Sequence, residues 1–274
     1  MLVTLNNGIQ MPQIGLGVWR VEDGQQVEQA VLTALETGYR HIDTAAVYKN
    51  EEGVGKALKA SGLARKDIFV TTKLWNSDQG YDAALKAFDT SLDKLGLDYV
   101  DLYLVHWPTP ERDLYVETYK ALEKLYADGR VRAIGVSNFH IHHLERLMQE
   151  TNITPVVNQV ECHPRLQQHD LRAFCKQHGI YLTAWSPLMQ GGDILQHDTI
   201  LELAKRYNKT AAQVIIRWHL QIGNIVIPKS ITPSRIRENF DVFDFELSAD
   251  DMAAIGALNQ DKRVGPDPHH MNVY

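Results

Sequence analysis

The sequence predicts an α/β fold, a closed (β/α)8 TIM barrel with an N-terminal β-hairpin cap and two extra helices, and three observations support this prediction. Short β-prone runs alternate with amphipathic helical segments along the chain, a pattern typical of parallel strands joined by right-handed crossovers. Eight such strands fit into 274 residues, a length close to that of known barrels of this kind. No stretch has the composition of a linker, so residues 1–274 are expected to form a single barrel domain.

The N-terminal segment LVTLNNGIQMP predicts a β-hairpin, because Asn7-Gly8 is a favoured two-residue turn between strands. This hairpin precedes the first barrel strand and is expected to cap the N-terminal end of the barrel. The eight predicted strands are QIGLGVW, YRHIDT, DIFVTTKLW, DYVDLYLVHW, VRAIGVSNF, PVVNQVE, IYLTAWSP and IVIPKS.

Helical periodicity predicts the elements between these strands. In QQVEQAVLTALETGY, Val27, Val31 and Leu35 lie on one helical face, and Gly38 ends the segment. The other predicted helices are Glu51–Ala60, YDAALKAFDTSLDKLG, YVETYKALEKLYADG, HHLERLMQE, HDLRAFCKQHG, residues 198–207 and 211–222, PSRIRENF and SADDMAAIGALN. Their total exceeds the eight helices of a simple barrel by two.

Bulk composition excludes several classes of protein. The chain is 44% hydrophobic and 23% charged, and its net charge of −6 argues against a nucleic-acid-binding protein, which would carry a basic surface. No apolar run approaches the ~20 residues of a membrane span, and the N-terminus does not resemble a signal peptide, so we expect no membrane partner and a cytoplasmic protein. Cys162 and Cys175 have no metal-ligand or redox spacing and are expected to be inert.

Polar and aromatic side chains follow the predicted strands, at the barrel end where active sites lie. Taken singly, Asp43 could cap a turn, His106 could be a core histidine and Lys73 could extend to solvent. Because such groups recur strand after strand, we expect a functional site there. The residues concerned are Asp43, Tyr48, Lys73, Trp75, His106, Trp107, Ser137, Asn138, Asn158, Gln159, Trp185, Ser186, Lys229 and Ser230.

Four of these residues predict proton transfer to a carbonyl oxygen. The phenol of Tyr48 has an ordinary pKa of ~10, which is high for proton exchange at neutral pH. A neighbouring Lys73 ammonium would lower the pKa of Tyr48, and Asp43 would supply the counter-charge that a buried lysine requires. His106 would donate a hydrogen bond to the substrate oxygen. A carbonyl that accepts hydride is an oxygen that needs such groups, and the hydride must come from a cofactor.

The dinucleotide fingerprint is absent, since Arg20 stands where the third glycine after Gly15 and Gly17 should be. The segment after the eighth strand offers an anion site instead. Thr232 is the expected helix N-cap with Pro233 at the first helical position, so that free N–H groups, Lys229 and Arg235 could bind a phosphate. The alternative is a solvated basic cap that binds nothing. With the amides of Asn138 and Gln159 and the ring of Trp185, this inventory fits a nicotinamide cofactor that carries a 2′-phosphate.

These residues lie within motifs that resemble the aldo-keto reductase family over essentially the whole chain. The motifs are GYRHIDTAAVYKNEEGVGKAL, TTKLW, DLYLVHWP, IGVSNF, NQVECHP and IPKSITPSRIRENF. Two further segments, HWPTPERDLYVETYKAL and WSPLMQGG, most resemble the bacterial 2,5-diketo-D-gluconic acid reductases of the A type. The resemblance implies NADPH/NADP+ as cofactor, a small-molecule carbonyl substrate and, by family habit, a monomer.

The resemblance also implies a role for each matching residue. Tyr48 matches the general acid, Lys73 and Asp43 match the pair that tunes it, and His106 matches the residue that orients the carbonyl. The matching cofactor-binding positions are Gly17, Trp19, Ser137, Asn138, Gln159, Trp185, Ser186, Pro187, Leu188, Gln190, Gly191, Lys229, Ser230, Thr232, Arg235, Glu238 and Asn239. The matching substrate-binding positions are Trp19, Tyr48, Trp75, His106 and Trp107.

The sequence therefore favours NADPH-dependent reduction of aldehydes and ketones to alcohols, with 2,5-diketo-D-gluconate, methylglyoxal and β-keto esters as candidate substrates. A Schiff-base aldolase is a second possibility, since a strand-end lysine such as Lys73 can form an imine. A non-catalytic NADPH-binding sensor is a third, although a sensor has no need of all four acid–base residues. The histidines at 140, 142, 143, 269 and 270 form no recognisable ligand set, and no metal is expected.

Overall fold

The computed structural model describes all 274 residues, and it contains every predicted strand and helix. The strands are β1 Leu2–Thr4, β2 Gln10–Pro12, β3 Leu16–Gly17, β4 His41–Asp43, β5 Phe69–Leu74, β6 Val100–Val105, β7 Val131–Ser137, β8 Val157–Glu161, β9 Tyr181–Trp185 and β10 Ile225–Val226. The α-helices are α1 Gln25–Thr37, α2 Glu51–Ala60, α3 Tyr81–Leu95, α4 Tyr115–Ala127, α5 Ile141–Glu150, α6 His169–Gln177, α7 Asp198–Tyr207, α8 Ala211–Gln221, α9 Pro233–Phe240 and α10 Ala249–Gly256.

Strands β3 to β10 form one parallel sheet in which each strand pairs with its neighbours in chain order. Two parallel bridges, Ile14 to Val226 and Gly17 to Lys229, join the first strand to the last and close the sheet. A Cβ at Gly17 would lie 3.0 Å from the Ile227 carbonyl oxygen, so the closure brings two backbones into tight contact there. The predicted (β/α)8 barrel is confirmed.

The helices form because their apolar residues recur on one face, as α3 illustrates. Phe88, Leu92 and Leu95 of α3 are buried against the barrel, while its charged residues face outward. Gly96 ends the helix with φ of +62°, a left-handed conformation that glycine adopts without steric cost.

The N-terminal hairpin is confirmed and closes one end of the barrel. Strands β1 and β2 pair antiparallel, and Gly8 in the turn has φ of +84°. Leu5 and Met11 pack in one apolar cluster with Phe69, the first residue of β5. The barrel strands finish at the opposite end. Asp43 and Ser137, two of the polar residues singled out in the sequence, are the last residues of β4 and β7 there.

None of the ten α-helices combines the length and the apolar character that a membrane span requires. Cys162 and Cys175 are free and buried, and burial raises the pKa of each thiol to about 12. Neither cysteine is therefore a reactive thiolate at neutral pH.

Candidate active site

Asp43, Tyr48 and Lys73 meet at the C-terminal end of the barrel. Asp43 ends β4, Tyr48 ends the short 3-10 turn Ala46–Tyr48 that follows, and Lys73 lies near the end of β5. The Lys73 ammonium donates to Asp43 Oδ1 at 2.5 Å and to the Thr44 carbonyl oxygen at 2.9 Å. It also lies 3.4 Å from Tyr48 Oη. A carboxylate, an ammonium and a phenol are thus joined in one hydrogen-bonded series.

Lys73 and Asp43 are both buried, so the Lys73 ammonium depends on the Asp43 carboxylate as its counter-charge. Burial acts to lower the pKa of Lys73, but Asp43 and Tyr48 outweigh it and the pKa is raised. Gln159 donates to the second oxygen of Asp43 at 2.7 Å, which gives this carboxylate a fixed orientation. Lys73 therefore stays protonated at neutral pH and places a positive charge beside the phenol.

The pKa of Tyr48 is raised, because burial outweighs the opposing effect of Lys73. The sequence predicted that Lys73 would lower it. Lys73 does act in that direction, but the depth at which the phenol is buried depends on the tertiary structure and could not be predicted from local sequence patterns. Tyr48 is thus a neutral phenol at physiological pH, the form that can donate a proton.

His106 follows β6 and stands edge-on to two aromatic rings, with ring centroids 5.8 Å from Tyr48 and 5.3 Å from Trp75. Burial and the nearby Lys73 charge hold the pKa of His106 well below its ordinary value, so the imidazole is neutral. A neutral imidazole still has one N–H and can donate a hydrogen bond to an oxygen beside Tyr48.

The tryptophans expected to bind substrate differ in exposure. Trp107 is buried with its ring near His106 and Trp185, and Trp75 is half-buried. Trp19 is 38% exposed, with the Arg20 guanidinium 4.1 Å above its ring. Trp75 and Trp107 therefore place aromatic surface beside His106, whereas Trp19 is the most exposed of the three tryptophans.

Ser137, Asn138 and Gln159 form a polar network on β7 and β8. Asn138 has φ of +64° and donates to the His106 carbonyl oxygen at 3.0 Å and to Ser137 Oγ at 3.1 Å. Its side-chain oxygen accepts from the Trp185 indole N–H at 2.8 Å. Ser137 Oγ donates to the Gln159 carbonyl oxygen at 2.8 Å. These polar groups are held rigidly beside Trp185, where sequence reasoning expected a carboxamide to bind.

The loop after β9 has an unusual backbone. Ser186, Gln190 and Gly191 have φ of +48°, +58° and +79°, which folds the segment back on itself. Pro187 is buried, Leu188 is half-buried and packs against two apolar clusters, and Gln190 is exposed. The predicted cofactor-binding loop therefore combines buried anchors with the exposed residues Gln190 and Gly191.

The segment after β10 has the features of an anion site. Thr232 is the N-cap of α9 and Pro233 the first helical residue, but the Thr232 side chain makes no capping bond. Instead Ser230 Oγ accepts from the Thr232 N–H at 3.1 Å. The N–H groups of Ser234 and Arg235 make no hydrogen bond within the protein, so they are free for an anion.

Charged side chains surround this helix terminus. Lys229 and Arg235 are exposed, and neither forms a salt bridge. Glu238 accepts a hydrogen bond from Thr210 at 2.8 Å, and Asn239 is buried. The free donors and unpaired cations fit a phosphate, and these residues would hold the phosphate of a nucleotide cofactor.

The contacts of the C-terminal tail, residues 261–274, could not be predicted from the sequence. The N–H groups of Val264 and Gly265 donate to the buried carboxylate of Glu161, the last residue of β8. Near the chain end, the Val273 carbonyl oxygen accepts from Asn76 at 2.7 Å. The tail thus runs between loops that follow different strands, and no periodicity in its sequence could have indicated this.

The clustered histidines form a stack and no metal site. The rings of His140, His142, His143 and His269 have centroids between 3.9 and 6.1 Å apart, and several pairs are nearly parallel. No group of histidine, cysteine and carboxylate side chains in the chain has the arrangement of a metal site.

Comparison with known proteins matches residues 13–260 to the family described as aldo/keto reductase. The glyoxal reductase of Bacillus subtilis (strain 168) is 57% identical over 269 residues, covering 98% of this chain and 96% of its own. The methylglyoxal reductase DkgA of Yersinia pestis is 57% identical over 268 residues, covering 97% and 96%. A crystal structure of a Gox0644 mutant in complex with NADPH superimposes with a TM-score of 0.94 at 49% identity, covering 98% of each chain. The family match over residues 13–260 and the high identity to relatives covered over nearly their whole length show that the chain belongs to the aldo/keto reductase family.

Proposed function

We propose that the protein reduces small aldehydes and ketones to alcohols with NADPH, and that methylglyoxal and glyoxal are its preferred class of substrate. The observation that carries this proposal is the buried Asp43–Lys73–Tyr48 chain beside a neutral His106. It supports proton donation to an oxygen that gains negative charge. Relatives named glyoxal reductase and methylglyoxal reductase support the substrate class.

NADPH is the cofactor, and when bound it supplies a hydride from its nicotinamide ring. The polar network of Ser137, Asn138 and Gln159 would hold the carboxamide, and Trp185 would face the ring. Lys229, Ser230 and Arg235, with the free N–H groups at the start of α9, would hold the 2′-phosphate. Trp19 and the loop of residues 186–192 complete the proposed cofactor site.

The side chains of the site divide the proton chemistry among them. Tyr48 donates its phenolic proton to the substrate oxygen. Lys73, charged and 3.4 Å from Tyr48 Oη, stabilises the phenolate that remains. Asp43 keeps Lys73 protonated and Gln159 keeps Asp43 in place. His106 donates a hydrogen bond to the same substrate oxygen and so orients the carbonyl.

The pocket favours a small carbonyl compound. Trp75 and Trp107 place apolar walls against His106, which suits a substrate with few polar groups. The segment resemblance to 2,5-diketo-D-gluconic acid reductases supports 2,5-diketo-D-gluconate, reduced to 2-keto-L-gulonate, as a second substrate of the same site. We propose it as the weaker of the two.

The alternative enzymes and binding proteins fit the site less well. A Schiff-base aldolase needs a neutral lysine, whereas Asp43 raises the pKa of Lys73. A sensor that only binds NADPH has no use for the proton-donating group. Because the charged Lys73 disfavours the aldolase, the experiment below distinguishes the reductase from the sensor.

The experiment follows NADPH absorbance with methylglyoxal, glyoxal and 2,5-diketo-D-gluconate, comparing the wild type with Tyr48→Phe. The matched control is Tyr181→Phe, because Tyr181 begins β9 at the opposite end of the barrel, where it packs against the apolar cluster that contains Leu5 and Met11. We expect turnover in the wild type and the control and loss of turnover in Tyr48→Phe. Binding of NADPH without turnover of any of these carbonyls by the wild type would favour the sensor.

A further inference from the structure

We propose that Glu161 and Gly265 are positioning residues that dock the C-terminal tail against the indole of Trp185 and thereby fix the ring on which the nicotinamide stacks. The inference rests on the proposed function, because it assigns Trp185 to the cofactor ring. It gives the tail a role in binding the cofactor.

Glu161 is a fully buried carboxylate whose hydrogen bonds come largely from the tail. Its Oε1 accepts from the Val264 N–H at 2.6 Å and from His163 Nε2 at 2.9 Å, and its Oε2 accepts from the Gly265 N–H at 3.0 Å. A buried carboxylate is tolerated only when its oxygens are hydrogen-bonded. Docking of the tail therefore supplies two of the three hydrogen bonds that this carboxylate accepts.

Gly265 brings the tail backbone directly onto the indole. A Cβ at this position would lie 2.4 Å from Trp185 Cη2 and 3.0 Å from Glu161 Oε2. Its backbone is not in the left-handed region, so the requirement for glycine is one of space alone. Any larger residue must displace either the indole or the tail.

Trp185 is thus held at both ends of its ring system. The six-membered ring lies against Gly265, and the indole N–H donates to Asn138 Oδ1 at 2.8 Å. Asn138 also belongs to the polar network with Ser137 and the His106 carbonyl. A shift of the indole would therefore disturb both the stacking face and the amide beside it.

The tail has separate attachments that do not involve Trp185. At the start of the tail, the N–H group of Lys262 donates to the Arg165 carbonyl oxygen at 3.0 Å, and Gln260, just before the tail, donates to the same oxygen at 3.1 Å. At the far end, Asn272 Oδ1 accepts from the Glu111 N–H at 3.2 Å. These attachments allow the contact at Gly265 to be loosened while the tail stays tethered.

Two variants test the proposal. Gly265→Ala adds a methyl group against the indole, and Glu161→Gln places an N–H₂ group where backbone N–H donors converge. The matched control is Gly256→Ala, because a Cβ at Gly256 has no atom within 4 Å. The measurements are the Kd for NADPH from quenching of protein fluorescence, the separate values of kcat and KM for methylglyoxal, and the thermal midpoint.

We expect both variants to raise the Kd for NADPH by about tenfold, the upper range for one aromatic contact, while Gly256→Ala binds as the wild type does. In a Trp185→Phe background, where the two indole atoms that a Cβ at Gly265 would meet are gone, Gly265→Ala should have no further effect on the Kd. A purely structural role would instead lower the thermal midpoint and leave that Kd unchanged in both backgrounds.

The inference is overturned if folded Gly265→Ala and Glu161→Gln bind NADPH as tightly as the wild type, or if Gly265→Ala has the same effect without Trp185. Failure of the proposed function looks different, because the wild type itself would then not reduce methylglyoxal, whether or not it binds NADPH. A wild type that reduces methylglyoxal through Tyr48, with variants that match it, overturns the role of the tail alone.

Discussion

The side-chain amide of Gln159 donates to Asp43 Oδ2 at 2.7 Å, the carboxylate oxygen that Lys73 does not use. The two residues are 116 positions apart in the chain and meet only because the barrel closes. Asp43 therefore has both oxygens occupied, one by a charge and one by an amide. This arrangement holds the ammonium of Lys73 beside Tyr48. Substitutions of Asp43 and Lys73 should therefore affect both the stability and the activity of the protein.

Asp43→Asn should destabilise the fold strongly. It leaves the Lys73 ammonium buried with no counter-charge, and removal of one partner from such a pair typically costs ~3–5 kcal/mol. Urea unfolding of the free protein measures the change. The control is Asp128→Asn, which removes an exposed partner of Lys124 and should cost less than ~1 kcal/mol. Equal losses of unfolding free energy in the two variants would contradict the prediction that the Asp43–Lys73 pair is the more important for stability.

Lys73→Met should slow reduction through Tyr48. Lys73 is the chief group that acts against the effect of burial on the pKa of Tyr48, so its loss makes the phenol a weaker acid. We expect kcat/KM for methylglyoxal to fall by ~10²–10³, within the range of general acid catalysis.

The test is a double-mutant cycle with Tyr48→Phe, in which Lys73→Met should add little to the loss already caused by the missing phenol. Circular dichroism of each variant shows whether it remains folded. Independent, multiplying losses would mean that Lys73 acts on the reaction by some route other than Tyr48.

Much of the fold followed from local patterns, whereas the site followed only in part. Helix α3 was predictable because Phe88, Leu92 and Leu95 recur at helical spacing before Gly96. Strand ends predicted which polar residues share one rim, since parallel strands of a barrel finish on the same side. Contacts across the barrel were not predictable in this way, and Gln159 was assigned to the cofactor without its bond to Asp43.

The degree of burial of each side chain could not be predicted from the sequence either. A charge beside Tyr48 could be predicted from Lys73, but the direction of the pKa shift depends on how much solvent the phenol loses. Glu161 was visible only as the end of a strand, because its partners Val264 and Gly265 belong to a tail without periodicity.

Acidification should destabilise the protein through its buried histidines. Burial lowers the pKa of His41 to about 4 and that of His219 to about 3. The unfolded chain binds protons at these residues below the ordinary value of 6.5, while the folded chain does not. Stability is therefore greatest above pH 6.5 and falls as the pH drops from there toward the folded pKa values, by roughly 1 kcal/mol per histidine per pH unit.

Urea unfolding at several pH values between neutral and mildly acidic measures this slope. His219→Gln should make it shallower, because one buried group no longer titrates. His178→Gln is the control, since His178 is exposed and its loss should leave the slope unchanged. A slope that His219→Gln does not alter would place the acid sensitivity elsewhere in the molecule.

Arg235→Met should weaken binding of NADPH far more than binding of NADH. Arg235 is exposed at the start of α9, beside free N–H groups, and forms no salt bridge that would compete for its guanidinium. A charged hydrogen bond to the 2′-phosphate would be lost, which corresponds to ~10–100-fold in Kd, while NADH has no phosphate there to lose. Arg237→Met removes a guanidinium from the last turn of the same helix and should affect neither cofactor. Equal weakening of NADPH and NADH by Arg235→Met would mean that Arg235 contacts a part that both cofactors share, and the phosphate site would then rest on Lys229, Ser230 and the helix terminus.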